Sequence, residues 1–230
     1  MQGVSKKFIR FAALSSCNIT IGQGKVVGIV GENGSGKSTL LRLLSGLLKP
    51  TRGKITVGGQ PVTRQIRKVL AYATDQDYFY PYLTIQQLVD YYASQFPDFD
   101  REKAKAIMHF MNLDSSSKIS HLSKGNRGRV KIMVTLSRNA PYLVLDEPFS
   151  GLDPMVRESI IKGMIQFVDL EQQTVILTTH EIKDIEPLLD EVILLKQGRV
   201  IAQAPVEEIR ERYKMNVIDW MQYYYQHTQI

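Results

Sequence analysis

Eight residues, Gly31–Ser38 in the stretch GENGSGKS, constrain this chain more than any other. They carry the spacing G-x-x-x-x-G-K-[ST] as Gly31, Gly36, Lys37 and Ser38, with Glu32, Asn33, Gly34 and Ser35 between and Thr39 following. Before them runs the apolar, β-branched VVGIV, and after them the amphipathic TLLRLLSGL. The pattern is therefore strand, glycine-rich loop, helix. Glycines let successive backbone N–H groups curl around β- and γ-phosphates, Lys37 adds charge, and Ser38 offers an oxygen to Mg²⁺. An ordinary glycine-rich turn is the alternative, and the flanking strand and helix speak against it.

Composition narrows the setting. Of 230 residues, 43% are hydrophobic and 23% charged, the balance of a globular domain rather than a disordered tail. The formal charge of +6 points to an anionic partner, whether nucleotide, nucleic acid or membrane surface. Cys17 is the only cysteine, which excludes a disulfide framework and a cysteine-based zinc site and suits a reducing compartment. No stretch approaches the roughly 18 apolar residues of a membrane helix. The richest, LLRLLSGLLKP, is broken by Arg42 and Ser45, and the opening MQGVSKKFIRF lacks a signal-peptide core.

Apolar runs recur at Val26–Val30, Tyr142–Asp146, Val175–Thr178 and Val192–Leu195, each followed by a turn or a helix-like segment. This alternation predicts an α/β fold with a largely parallel sheet. LLKQGRVIA reads as a hairpin turned at Gln197–Gly198. From about Tyr82 to Ala140 the pattern is helical, over Ile85–Ser94, Arg101–Met111 and Arg127–Arg138. We expect one domain, with residues 1–81 and 141–230 as the α/β core and residues 82–140 as an inserted helical subdomain. The aromatic DWMQYYYQHTQI suits a docked final helix.

Two more strand ends carry chemistry. In PYLVLDEPFSGLDP the apolar run stops at Asp146 and Glu147, placed to hold Mg²⁺ through water and to polarise an attacking water. Solvated carboxylates capping a strand are the plainer reading. In TVILTTHEIKDIE, His180 follows a strand and precedes a helix, where ligands sit in parallel sheets, and it can reach a γ-phosphate. HLSKGNRGRV looks like the start of a helix: Ser123 either caps it or helps to bind an anion.

In this order the motifs resemble those of the ATPase subunit of an ABC transporter, across essentially the whole chain. GENGSGKST resembles the Walker A loop, YLVLDEP the Walker B strand with catalytic Glu147, SGLD the D-loop with Asp153, and TTH the switch His180. LSKGN, Leu122–Asn126, resembles the family signature LSGGQ. The resemblance implies a P-loop NTPase (RecA-like) core with antiparallel N-terminal strands and an inserted helical subdomain. It implies ATP and Mg²⁺ as ligands, and catalytic roles for Glu147, His180 and Lys37. It further implies a head-to-tail dimer, homodimeric or with a homologous chain, in which Ser123 and Gly125 meet the γ-phosphate held by the other subunit. Asp153 would lie near that interface. A transmembrane permease subunit would hold the chain at the cytoplasmic face of a bacterial membrane. Phe8, in VSKKF, stands about where the family keeps an aromatic against adenine, although an ordinary strand residue is the alternative.

The sequence departs from the family pattern twice. In YATDQDYFYPYLT, Asp75 falls on the usual Q-loop glutamine, with Gln76 as the neighbouring alternative; either could ligate Mg²⁺ through oxygen. Tyr78, Tyr80 and Tyr82 there either line the groove for a membrane subunit or close the subdomain junction. In the signature, Lys124 replaces a glycine and Asn126 a glutamine, a form that resembles bacterial drug and peptide exporters. A nucleic-acid or ribosome-associated ATPase of the same family is the rival. Its usual marks are two ATPase domains in one chain, a coiled-coil insertion or zinc cysteines, and no nucleic acid is expected here. A degenerate regulatory subunit fits less well, since Glu147 and His180 are both present.

Overall fold

The computed structural model describes residues 1–76 and 78–228. The chain begins with strands β1 (Gln2–Lys7), β2 (Ala12–Cys17) and β3 (Val26–Val30), then helix α1 (Lys37–Leu44). Short strands β4 (Arg52–Lys54), β5 (Thr56–Val57), β6 (Gln60–Pro61) and β7 (Leu70–Ala73) follow. Three helices come next, α2 (Ile85–Gln95), α3 (Arg101–Phe110) and α4 (Lys124–Leu136). The remainder alternates: β8 (Tyr142–Leu145), α5 (Pro154–Phe167), β9 (Thr174–Thr178), α6 (Ile182–Ile185), β10 (Glu191–Lys196) and β11 (Arg199–Pro205). Helices α7 (Val206–Glu211) and α8 (Val217–His227) follow.

The main sheet has the order β11-β10-β3-β9-β8-β7, parallel from β10 to β7, with β11 antiparallel at one edge. Beside it lies an antiparallel sheet of order β2-β1-β4, and β5 and β6 form a separate hairpin. Period-two alternation decides the layers, because successive strand residues point to opposite faces. Val26, Val30, Leu143, Leu145, Val175, Leu177, Val192 and Leu194 face a core shared with α2–α8. Their neighbours Val27, Ile29, Val144, Ile176, Ile193 and Leu195 face α1 and the antiparallel strands. A sheet covered on both sides is what near-continuous apolar strands require.

The β10–β11 hairpin turns at Gln197 and Gly198, with φ of 46° and 76°. Two left-handed residues in a two-residue loop match the twist of the strands they join. Strand β7 is a fifth parallel strand that the apolar runs do not announce, since alternate positions of its LAYA are alanine. Helix α4 starts at Lys124, three residues before the periodic stretch, because its polar first turn stands outside the core.

Side chains close the N-termini of the longer helices, with one exception. Thr84 and Gln87 form a capping box on α2. Asp100, Ser123, Asp153 and Asn216 cap α3, α4, α5 and α8. Helix α1 follows Gly36 in left-handed conformation (φ 107°) with no side-chain cap. Its first N–H groups, with the positive end of the helix dipole, are left for something else.

Candidate functional site

That uncapped terminus opens onto a cleft of about 440 Å³, lined by Asn33, Gly36, Lys37, Ser38, Glu147 and His180 among others. Three strand ends meet there, because β3, β9 and β8 are adjacent and parallel in the sheet. The loop leaving β3 is shaped by its glycines. At Gly31 (φ 155°) a Cβ would lie 2.3 Å from the Leu195 carbonyl oxygen, and at Gly36 2.7 Å from that of Ala13. Only glycine fits either place.

Lys37 is 6% exposed. Its Nζ donates to the Gly31 and Glu32 carbonyls (2.8 and 3.2 Å) and lies 3.8 Å from a Glu147 oxygen. The ammonium is folded back on its own loop, with a carboxylate as its nearest counter-charge. Ser35, also in the loop, buries a hydroxyl that has no hydrogen-bond partner among the described residues.

Asp146 is 1% exposed and held from three sides. Ser38 Oγ and Thr178 Oγ1 donate to its Oδ1 (3.0 and 2.9 Å), and the Tyr72 hydroxyl donates to its Oδ2 (3.0 Å). Burial and the adjacent Asp146 charge push the Tyr72 phenol upward, so it stays protonated and remains a donor. Thr178 also accepts from the Glu147 N–H (2.9 Å), and Glu147 has a left-handed backbone (φ 48°). A carboxylate in that conformation at a strand end is held by its surroundings. Its Oε2 lies 2.8 Å from His180 Nδ1. Ser38, Asp146, Thr178, Glu147 and His180 thus form one continuous hydrogen-bonded chain, with Asp146 and Thr178 buried behind the cleft-lining Ser38, Glu147 and His180. The hard oxygen donors Ser38 and Asp146, side by side, suit Mg²⁺, which takes one or two protein oxygens and completes its shell with phosphate and water.

Other expected residues lie elsewhere. Ser123 Oγ accepts from the Asn126 N–H (3.2 Å), so in this single chain it is a cap. Gly125 allows close approach of α4 to α5, since a Cβ there would meet Val156 at 2.9 Å. Asp153 caps α5 through the Val156 N–H (3.0 Å). Asp75 is 3.6 Å from Arg42, and Gln76 accepts from the Tyr78 hydroxyl. Arg42 in turn contacts Tyr72, which donates to Asp146, so Asp75 is linked to Asp146 through intervening side chains. Phe8 packs on Phe11 with ring centroids 5.2 Å apart, and it is Phe11 that lines the cleft.

Several contributors escape the motifs. Thr178 had a visible signal, a hydroxyl ending an apolar strand two residues before His180. Tyr72 had none, since only the pairing of β7 with β8 sets it beside Asp146. Arg157 of α5 pairs with Glu181 (2.5 Å) and Asp184, tying the helix after Asp153 to the segment after His180.

The chain is similar to several known proteins. Residues 14–150 match the family model described as ABC transporter. A putative ABC transporter ATP-binding protein of Methanosarcina acetivorans is 34% identical over 87% of this chain and 73% of its own length. A probable sulfate/thiosulfate import ATP-binding protein of Chlorella vulgaris is 30% identical over 92% of each chain. A dimeric ATP-binding cassette solved in a post-hydrolysis state with ADP and Pi superposes with TM-score 0.78 at 26% identity, covering 89% of this chain and 97% of that one.

Proposed function

This chain belongs to the ABC transporter family as an ATP-binding subunit that hydrolyses ATP to drive transport, and we propose the following division of labour among its residues. The free N–H groups of the Gly31–Thr39 turn and the Lys37 ammonium take the β- and γ-phosphates, with Lys37 leaving the carbonyls it now holds. Ser38 and Asp146 would hold Mg²⁺, which screens the phosphate charge. Glu147 polarises the attacking water, and His180, hydrogen-bonded to Glu147, fixes its carboxylate and faces the γ-phosphate. Phe11, with Phe8 packed against it, supplies the apolar face for adenine. Asp75, paired with Arg42, acts on the metal site indirectly through Tyr72 rather than as a ligand.

The observation that carries this reading is the hydrogen-bonded chain from Ser38 to His180 at the mouth of an uncapped helix. ABC cassettes dimerise and partner a transmembrane subunit. For this chain we propose a second copy or a homologous chain as the dimer partner, whose Ser123 and Gly125 would complete each nucleotide site. Among the described residues no helix is long and apolar enough to cross a membrane, so attachment at the cytoplasmic face would come through the transmembrane subunit. Export of a drug, peptide or lipid-like substrate is proposed on the LSKGN form of the signature. Similarity to an import protein favours the opposite direction.

Co-purification from membranes followed by reconstitution tests both parts. A captured transmembrane protein and ATP-dependent efflux are expected. Uptake would reverse the direction, and capture of ribosomes or nucleic acid would favour the rival reading.

A further inference from the structure

One half-buried side chain joins the C-terminal helix to the phosphate loop through its hydroxyl. Tyr225, in the last turn of α8, accepts a hydrogen bond from the Glu32 N–H (3.0 Å) and donates one to the Leu195 carbonyl (2.9 Å). Leu195 is the β10 residue whose carbonyl lies against Gly31. The next residue, Lys196, donates to the carbonyls of Tyr225 and Thr228 (2.8 Å each), which lie at the helix C-terminus. A lysine there also complements the negative end of the helix dipole. The end of α8 is therefore fastened to the end of β10, and through Tyr225 to the first turn of the phosphate loop.

The position of that bond matters. The Gly31–Glu32 peptide is held on one side by Lys37, which takes its carbonyl, and on the other by Tyr225, which takes its N–H. When Lys37 turns to a phosphate, the first hold is lost and the second remains. Further along, the Ser35 N–H donates to the Glu32 carbonyl (3.1 Å) and the Ser35 carbonyl accepts from the Gly198 N–H (2.9 Å), neither of which touches the Gly31–Glu32 peptide N–H of the turn. Behind it lies a second cleft, about 690 Å³, walled by Glu32, His180, Ile218, Met221 and Tyr225 among others. Glu32 lines that cleft and Asn33 the nucleotide cleft, and His180 lines both.

We propose that Tyr225 is a positioning residue of the phosphate loop, holding the Gly31–Glu32 peptide in nucleotide-binding shape and thereby coupling the docking of α8 to ATP binding. The proposal rests on the ATP-binding reading given above. Reciprocity requires that nucleotide binding also tighten α8, because a coupling free energy acts equally in both directions.

The test uses Tyr225→Phe, which keeps the ring and removes the hydroxyl, beside Lys196→Met and the exposed-face control Tyr223→Phe. In the wild type, MgATP should slow hydrogen exchange at residues 31–33 and across α8, and alter the fluorescence of Trp220, the only tryptophan. In Tyr225→Phe the KM for MgATP should rise roughly three- to tenfold, the size expected for one hydrogen bond, with kcat within twofold. Nucleotide protection of α8 should shrink. Lys196→Met should act in the same direction and Tyr223→Phe should not. A merely structural role would lower the active fraction, and so kcat, without moving KM. Wild-type KM together with wild-type α8 protection in Tyr225→Phe would overturn the proposal. Failure of the wild type to bind MgATP would instead overturn the reading beneath it.

Discussion

Glu147 makes the sharpest demand at the scale of single residues. It sits in a left-handed backbone, 2.8 Å from His180 and 3.8 Å from Lys37. Glu147→Gln should lower turnover by about 100-fold or more, the range for losing a general base, while ATP binding stays near wild type. Unchanged turnover in a steady-state phosphate-release assay would remove Glu147 from hydrolysis. Tyr72→Phe deletes one of three donors to Asp146. It should raise the Mg²⁺ concentration needed for nucleotide binding by about tenfold, as loss of a partner behind a metal ligand commonly does. Titration of Mg²⁺ against a fluorescent ATP analogue reads this directly. At Lys124 the ammonium rests over Gly151, where a Cβ would come within 2.1 Å of it. Within one chain, then, the lysine of LSKGN lies on the SGLD turn. Lys124→Gly should loosen that turn, read as faster hydrogen exchange at residues 150–153, and unchanged exchange would leave the lysine incidental.

Among the elements, the N-terminus of α4 poses a question that two variants separate. Ser123 and Thr84 both cap helices, and alanine at either should cost about 1 kcal/mol in urea unfolding. If the α4 terminus also meets a partner's γ-phosphate, Ser123→Ala should weaken ATP-dependent dimerisation while Thr84→Ala leaves it intact. Equal effects on dimerisation would reduce Ser123 to a cap. The parallel sheet was legible because Val26–Val30 has no polar side chain and Val175–Leu177 is apolar throughout, the mark of strands covered on both faces. Strand β7 was not, since alanines give it little apolar contrast, and its place at the sheet edge follows from pairing with β8. The first turn of α4 lies outside the periodic stretch, although its Ser123 cap was legible. Lys124, Gly125 and Asn126 are polar or small, and only the Ser123 cap marks where the helix begins.

For the whole molecule, the net charge of +6 admitted several anionic partners, and fold and site together narrow them. Glu147→Gln with MgATP should elute from gel filtration as a dimer, and salt should affect it far less than it would a nucleic-acid complex releasing several counterions. A monomer under saturating MgATP would count against the sandwich.

The sequence by itself determined the α/β alternation, the phosphate loop, the two carboxylates after β8 and the histidine after β9. Each is written in contiguous residues, where backbone periodicity and glycine conformation act locally. The tertiary structure alone decided which distant groups serve them. Tyr72 meets Asp146, Arg42 holds Asp75, Phe11 rather than Phe8 lines the cleft, and Tyr225 closes on Glu32 across 193 residues of chain. Such contacts depend on strand order and helix docking, and a hydroxyl carries no local mark of the partner it will find once the chain has folded.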